Sequence, residues 1–407
     1  MTGPSRIVII NDTASTRGGA AKLAVLLAMK LAERGRAVTF FAGDDGENAE
    51  LKDKGVEIVA LGGRALLNSR SAIVDGIYNR KAAARLKDYI EQSDGADTVF
   101  HVHAWSQILS PSIFDALRPV AARCAITAHD FFLMCPNGIY SNYQKSKQCD
   151  LKPMSASCLL SNCDKRNYVH KMWRVARQYV VNAKTDFRHA PFSVLAIQSG
   201  MIPLLTSSGI PEARLTTIAN PAPQLVDARV RAEDNKEILY VGRLESEKGP
   251  ALLAAAAHAI GAPLRIIGDG ADEDAARRAY PDAIFQGWAS QAEIAEALTR
   301  ARFFVMPSLC TEPFGLAAAE ALRAGLPVLT STSCLIGDDV KQLEMGDIVD
   351  VAEPRAFQRV LAAWMADDAA IQSMSVSAFE NAQQIAKTED EWVDDHLAHY
   401  QRMLGAA

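Results

Sequence analysis

The chain has 407 residues, of which 49% are hydrophobic and 22% are charged. This composition is average for soluble globular proteins and excludes a disordered, a collagen-like or a disulfide-scaffold chain, while the length predicts two or three domains. The net charge of −5 hides an asymmetry, because residues 1–225 carry +8 (27 basic, 19 acidic) and residues 226–407 carry −13 (16 basic, 29 acidic). Two domains in different surroundings would explain this difference, as would uneven surface charge without a role.

No apolar run approaches the ~18 residues that a membrane-spanning helix needs. Met1 is followed within a few residues by a strand-like segment and not by a charged and then apolar leader. Seven cysteines are an odd number, which argues against a secreted disulfide framework. We therefore expect a soluble, cytoplasmic protein.

Short apolar and β-branched runs alternate along the chain with longer helical segments such as 20–34, 292–300 and 316–324. The runs are apolar throughout, which predicts parallel strands buried on both faces. They lie at 7–10, 37–41, 56–61, 98–103, 124–128, 193–198, 215–218, 238–241, 264–267, 283–285, 303–306, 327–330 and 347–351. Successive βα units predict an α/β protein with two doubly wound, Rossmann-like domains that face a central cleft.

The Pro-containing stretch from Asn220 to Lys236 has no periodicity and is the predicted linker. It places the domains at residues 1–225 and 226–388. An amphipathic helix in 389–407 is expected to pack back on the first domain.

Parallel sheets bind ligands at the carboxyl ends of their strands, so the loops that follow strands are informative. After the first strand, Gly18 and Gly19 open a helix whose amides could meet a phosphate. The GxGxxG fingerprint of dinucleotide-binding proteins is absent, which argues against a dehydrogenase.

Histidines follow two strands of the first domain. His101 and His103 flank Val102, and we expect their side chains on opposite faces, too far apart to share a metal ion. His129 and Asp130 follow the next strand, and His129 is either a functional residue or a structural histidine with satisfied hydrogen bonds.

Four cysteines cluster in an insertion-like segment, and the last pair approaches the spacing of a zinc site. Free thiols in a packed loop, a structural zinc ion and disulfides all remain open for Cys135, Cys149, Cys158 and Cys163.

A basic amphipathic helix follows this segment. Tyr168, Met172, Val175 and Tyr179 form one stripe of it. We expect either a membrane-surface element or a helix that packs on its own domain. The expected membrane contacts are Lys165, Arg166, Lys171, Arg174 and Arg177, with Tyr168 and Trp173 at the headgroups.

Two motifs of the second domain suggest one ligand. Arg243 and Lys248 lie in a strand-to-helix loop, where a guanidinium and an ammonium suit a diphosphate. Glu312 and Glu320 lie on either side of a helix start, whose free amides favour an anion. Carboxylates for hydroxyl groups and cations for phosphate together predict a nucleoside-diphosphate sugar.

These motifs, with Gly268-Asp-Gly270, Phe285-Gln-Gly287 and Glu312-Pro-Phe-Gly-Leu, resemble the retaining GT-B glycosyltransferases of family 4, glycosyl transferases group 1. The cysteine-bearing segment is similar to that of some bacterial members that build surface polysaccharides. The resemblance implies that Arg243 and Lys248 bind the donor diphosphate, Glu312 the sugar hydroxyls and Glu320 the ribose.

It also implies further donor contacts, by backbone amides at Phe314, Gly315 and Leu316 and by Gly18, Gly19 and Gly287. His129 would contact the donor sugar and complete a catalytic set with Arg243, Lys248 and Glu312. Catalysis in such enzymes needs no metal ion or other cofactor. The sequence Asp272-Glu-Asp274 therefore reads as a helix start and not as a metal site.

The expected activity is retaining transfer of a hexose from a nucleotide diphosphate sugar, with UDP favoured over GDP. The acceptor would be a glycan or a lipid-linked glycan in surface polysaccharide synthesis, on an anionic inner membrane face and without nucleic acid. A nucleotide-sugar epimerase, a phosphorylase and a non-catalytic glycan-binding protein are the alternatives.

Overall fold

The computed structural model describes residues 3–16, 18–65 and 72–406. Its β-strands, in chain order, are β1 (Arg6–Asn11), β2 (Ala37–Ala42), β3 (Glu57–Ala60), β4 (Thr98–Val102), β5 (Cys124–Ala128), β6 (Ser141–Asn142), β7 (Lys147–Gln148), β8 (Ser193–Ala196), β9 (Leu215–Thr217), β10 (Glu237–Val241), β11 (Leu264–Ile267), β12 (Ile284–Gly287), β13 (Ala301–Met306), β14 (Val328–Ser331) and β15 (Gly346–Val349).

The α-helices alternate with these strands. They are α1 (Gly19–Glu33), α2 (Ala49–Asp53), α3 (Ala72–Asp75), α4 (Arg80–Ser93), α5 (Ile113–Leu117), α6 (Ala156–Leu160), α7 (Tyr168–Thr185), α8 (Met201–Ser207), α9 (Pro250–Ala259), α10 (Glu273–Ala279), α11 (Gln291–Arg300), α12 (Leu316–Arg323), α13 (Gly337–Gln342), α14 (Pro354–Ala366), α15 (Asp368–Asn381) and α16 (Glu389–Ala406). Among the described residues, no helix combines the length and the apolar character that crossing a membrane requires.

Each predicted strand overlaps an observed one. The β6–β7 hairpin within the cysteine-bearing segment was not predicted. Its strands are two residues long, which is too short to produce a periodic pattern in the sequence.

The first compact unit comprises Met1–Ile139, Asp150–Ile218 and Asp390–Ala407. Its sheet has the order β3-β2-β1-β4-β5-β8-β9, with parallel neighbours throughout. Residues 7–10 of β1 are fully buried, which explains an apolar run without alternation. The C-terminal helix α16 belongs to this unit, and its Tyr400 hydroxyl lies 2.7 Å from His101 Nδ1.

The second unit comprises Tyr140–Cys149 and Ala219–Glu389. Its main sheet has the order β12-β11-β10-β13-β14-β15 and is also parallel. The chain thus passes between units at 218/219 and 389/390, where the sequence suggested 225/226 and 388/389. The β6–β7 hairpin also belongs to the second unit, although the residues before and after it in the chain belong to the first.

In each sheet the strand order reverses at one central pair. The pairs are β1 and β4 in the first unit and β10 and β13 in the second. The loops that follow such a pair diverge to opposite faces of the sheet and leave a crevice where ligands bind. Arg243 and Lys248 follow β10, and Glu312 follows β13, so this topology brings them to one crevice.

Candidate functional site

The loop after β10 is fastened to the loop after β13. The amide of Leu309 donates to the carbonyl of Glu247 at 2.8 Å. Gly249 has a φ of 72°, and a Cβ atom there would lie 2.2 Å from the carbonyl oxygen of Pro307. Only glycine therefore permits this approach, which brings Lys248 beside the segment that carries Glu312.

Lys248 and Glu312 form an ion pair through Nζ and Oε2. Their side chains are 20% and 17% exposed. Burial lowers the pKa of Lys248, but the Glu312 carboxylate raises it, and the net result is a pKa above the ordinary value. The lysine is therefore charged at neutral pH, and its charge is balanced by Glu312.

Arg243 is exposed at the carboxyl end of β10. Its carbonyl accepts a hydrogen bond of 2.8 Å from the hydroxyl of Tyr240. Within the described residues, its guanidinium makes no hydrogen bond or ion pair. A guanidinium is always charged and presents five donors, so Arg243 is the uncompensated cation of this crevice.

Backbone hydrogen bonds fix the position of Glu312. Its amide donates to the carbonyl of Ser333 at 3.0 Å, and its carbonyl accepts from Leu335 at 3.0 Å. The preceding residue, Thr311, is held by the β6–β7 hairpin, since its amide donates to Ser141 Oγ at 2.8 Å. Its hydroxyl donates to the carbonyl of Tyr140 at 3.0 Å.

Helix α12 begins directly after this segment. Gly315, with a φ of 82°, precedes its first residue Leu316, and Phe314 is buried. The first amides of a helix have no partner within the helix, so they are available to a ligand. Glu320 follows one turn into α12 and is half-buried.

The Gly-Asp-Gly motif supports the Arg243 loop. A Cβ atom at Gly268 would lie 1.9 Å from the carbonyl oxygen of Gly242, and Gly268 has a φ of 133°. The amide of Leu244 donates to Asp269 O at 2.7 Å, and that of Gly268 to Gly287 O at 2.7 Å. These bonds hold three strand ends in register.

Asp272 and Asp274 lie at the start of α10, as expected. Over the described ranges of the chain, no group of three or more His, Cys, Asp or Glu side chains is arranged to hold a metal ion.

In the first unit, Gly18 precedes α1 and Gly19 is its first residue. The loop before them is anchored by Asp12, which the sequence analysis did not single out. Its carboxylate accepts from the amides of Gln107, Ile108 and Leu109 at 2.7, 2.9 and 2.8 Å. Burial raises the pKa of Asp12, although these bonds oppose the rise. Asp12 thus joins the loops that follow β1 and β4.

The expectation that His101 and His103 point to opposite faces is wrong. Their ring centroids are 4.2 Å apart, because residues two apart on a strand share a face. His101 Nε2 lies 2.7 Å from Thr127 Oγ1. His103 Nδ1 lies 2.9 Å from His129 Nε2, so one ring donates to the other. Burial lowers the pKa of His129 to about 3, which keeps this ring neutral.

The cysteines of the insertion divide between the units. Cys135, Cys158 and Cys163 belong to the first and Cys149 to the second. The described cysteines form no disulfide. The zinc hypothesis stays a prediction.

Two of the membrane contacts expected on α7 are wrong. Lys171 and Arg177 are buried, the latter with its guanidinium 4.5 Å from the centre of the Phe132 ring. Arg174 Nε pairs with Asp164 Oδ2 at 2.8 Å. Each of these charged groups has a partner within the unit: Lys171 contacts the sulfur of Cys163, Arg177 the ring of Phe132 and Arg174 the carboxylate of Asp164. Lys165 and Arg166 remain exposed.

Residues 223–385 match the family model Glycosyl transferases group 1. This stretch contains Arg243, Lys248, Glu312 and Glu320. A GDP-mannose-dependent alpha-mannosyltransferase of Corynebacterium glutamicum is 30% identical over 40% of this chain and 39% of its own length. The chain therefore matches about two fifths of this curated relative.

Solved structures resemble the whole chain. A sucrose-phosphate synthase from Thermosynechococcus elongatus has a TM-score of 0.72 at 19% identity and covers 99% of this chain and 100% of its own. The Anabaena protein HepE in complex with UDP has a TM-score of 0.69 at 14% identity, covering 98% and 100%. The predicted GT-B fold class is confirmed.

Proposed function

We propose that the protein is a retaining glycosyltransferase that uses a nucleotide diphosphate sugar. One observation carries the proposal: the strand-order reversal of the second sheet places Arg243, Lys248, Glu312 and the start of α12 at one crevice. Cations suit a diphosphate, and carboxylates suit sugar and ribose hydroxyls. The family match over residues 223–385 supports the same assignment.

In this proposal Arg243 and Lys248 bind the diphosphate, Glu312 the sugar and Glu320 the ribose. The amides around Phe314 contribute further contacts to the donor, and so do Gly18, Gly19 and Gly287. His129 contacts the donor sugar. The acceptor hydroxyl attacks the face from which the diphosphate leaves, and the departing phosphate takes its proton. The cationic side chains and helix amides stabilise the developing negative charge, so a divalent ion is not used.

The identity of the donor base and that of the acceptor have weaker support. The C. glutamicum relative is named for GDP-mannose, whereas HepE was solved with UDP. We propose a hexose donor, with UDP favoured, and a glycan or lipid-linked acceptor for surface polysaccharide. Attachment to an anionic membrane would use Lys165 and Arg166 of the first unit.

The test is to incubate the protein with UDP- and GDP-hexoses, with and without glycan acceptors, and to measure nucleoside diphosphate release and product anomers. Transfer with retention is expected. Epimerised donor would favour an epimerase. Turnover that requires inorganic phosphate would favour a phosphorylase, and binding without turnover would favour a non-catalytic glycan-binding protein. Activity that EDTA abolishes and magnesium restores would overturn the metal-free mechanism.

A variant of Arg243 and a matched control test the assignment of Arg243 to the diphosphate. Arg243→Ala should weaken UDP or GDP binding roughly ten- to hundredfold, because a charge-assisted bond contributes about 1.5–3 kcal/mol. Arg278→Ala, an exposed arginine of the same unit, is the matched control and should bind as the wild type does.

Glu312→Gln removes the carboxylate that competes for Lys248. This variant should bind the nucleotide at least as tightly as the wild type, yet lose transfer. Weaker nucleotide binding by Glu312→Gln would contradict the separate roles of the two residues.

A further inference from the structure

A buried lysine among cysteines is the feature that the proposed function leaves unused. Lys171 of α7 is fully buried. Its Nζ lies 2.9 Å from Cys163 Sγ and 3.7 Å from Cys158 Sγ. A buried ammonium normally pairs with a carboxylate, because an uncompensated charge in the interior is costly. Within the described chain, this one contacts sulfur and no carboxylate.

The surrounding side chains close this cluster. The Cys135 thiol donates to Asn137 Oδ1 at 3.1 Å, and Asn137 Nδ2 lies 3.6 Å from Cys163 Sγ. The three thiols and the amide are all buried. The amine nitrogen contacts two of these thiols, and its charge would repel a metal cation there.

We propose that Lys171 and Cys163 form a covalent nitrogen–oxygen–sulfur bridge under oxidising conditions, which makes this cluster a redox modification site. An amine and a thiol already in contact need one oxygen atom between them and little movement of the chain. Cys158 Sγ lies 3.7 Å from the same nitrogen and can accept a second bridge.

The reaction balances with a peroxide as oxidant. The S–H bond of Cys163 and two N–H bonds of the Lys171 ammonium break, S–O and N–O bonds form, and one proton leaves to the solvent. Two molecules of hydrogen peroxide are reduced, one of their oxygen atoms stays in the bridge, and three molecules of water leave. Excess dithiol reverses the reaction, returning the thiol and the amine with one molecule of water.

The bridge would join the loop before α7 to the first part of that helix. Cys163 also contacts Asn137, which lies in the segment after β5 that carries His129. Oxidation would therefore remove a buried charge and fix the chain between α6 and α7.

The test is tandem mass spectrometry of the full-length protein after hydrogen peroxide treatment, with and without subsequent dithiothreitol. The expected result is a cross-linked peptide pair, Cys163 with Lys171, heavier by one oxygen and lighter by two hydrogens than the unmodified pair. Dithiothreitol should abolish it. A second bridge to Cys158, with the mass change doubled, supports the same chemistry.

Matched variants locate the bridge. Lys171→Met and Cys163→Ser should lose the adduct, whereas Lys184→Met on the same helix and Cys124→Ser in β5 should keep it. If Lys171→Met does not fold, the fragment spectrum of the wild-type protein still identifies the bonded atoms.

Several results would overturn the proposal. They are a disulfide within the cluster, seen as a loss of two hydrogens without added oxygen; oxygen added to cysteine without a crosslink; and no modification at all. One equivalent of tightly bound zinc that protects Cys163 from alkylation until a chelator is added would do so too.

Discussion

Acidification should destabilise the first unit, because histidines buried in it are held neutral. His396 of α16 is 2% exposed, and its Nδ1 donates to the carbonyl of Trp392 at 2.8 Å. Burial, together with the neighbouring His399, lowers its pKa from an ordinary value of 6.5 to about 4, although the hydrogen bond to Trp392 opposes this change. In the unfolded chain this ring takes up a proton below pH 6.5, but in the folded chain only near pH 4. Its contribution to stability is therefore complete above pH 6.5 and is lost as the pH falls towards 4.

The size of this effect follows from the shift. Between pH 7 and pH 5, the free energy of unfolding should fall by about 2 kcal/mol for one such histidine. His399 is also buried, and its pKa is likewise lowered to about 4. The two together approach about 4 kcal/mol, a large fraction of the roughly 5–15 kcal/mol that stabilises a typical domain.

Urea denaturation at pH 7, 6 and 5, followed by circular dichroism, measures this loss. His396→Gln cannot take up the proton, so its stability should fall by about 2 kcal/mol less than that of the wild type over the same interval. His258→Gln, an exposed histidine of α9, is the control and should behave as the wild type does. Equal wild-type stability at pH 7 and pH 5, or an unchanged loss in His396→Gln, would refute the reasoning.

Two further variants probe residues that position the site. Ser141→Ala removes the acceptor for the amide of Thr311 and should lower kcat/KM severalfold, since a net hydrogen bond contributes about 0.5–1.5 kcal/mol; the exposed Ser157→Ala is its control in the same kinetic assay. His103→Phe removes the partner of His129 Nε2 and should lower kcat about tenfold while nucleotide affinity, measured by calorimetry, stays unchanged, because a free ring loses its orientation; an unchanged kcat would show that His103 has no such role.

The strands and the glycine-rich, charged loops that follow them could be predicted because their signals are local. A strand buried on both faces is an apolar run, and a loop that follows it needs glycines and cations within a few residues. The Arg243 loop and the start of α12 are each recognisable within their own short stretch of sequence. The family resemblance then relates the two stretches.

Contacts between distant residues were not predictable in this way. Ser141 and Thr311 are 170 residues apart, and a two-residue strand has no pattern that would point to a partner. Asp12 looks like an ordinary loop aspartate, although three amides converge on it. Lys171 and Arg177 were assigned to the surface from their charge, yet the groups that receive them come from other segments of the chain.

The charges at the β10 and β13 strand ends suggest an order of events in donor binding. Without a ligand, Lys248 and Glu312 compensate each other, whereas Arg243 is uncompensated and exposed. In the proposed function, an arriving diphosphate would therefore meet Arg243 first and then compete with Glu312 for Lys248. Once the lysine paired with phosphate, the Glu312 carboxylate would need hydroxyl donors in place of the ammonium, which the sugar proposed to bind there would supply. Recognition of the sugar would thus be strengthened by prior capture of the diphosphate, because the Glu312 oxygen that pairs with Lys248 would then be open to a sugar hydroxyl.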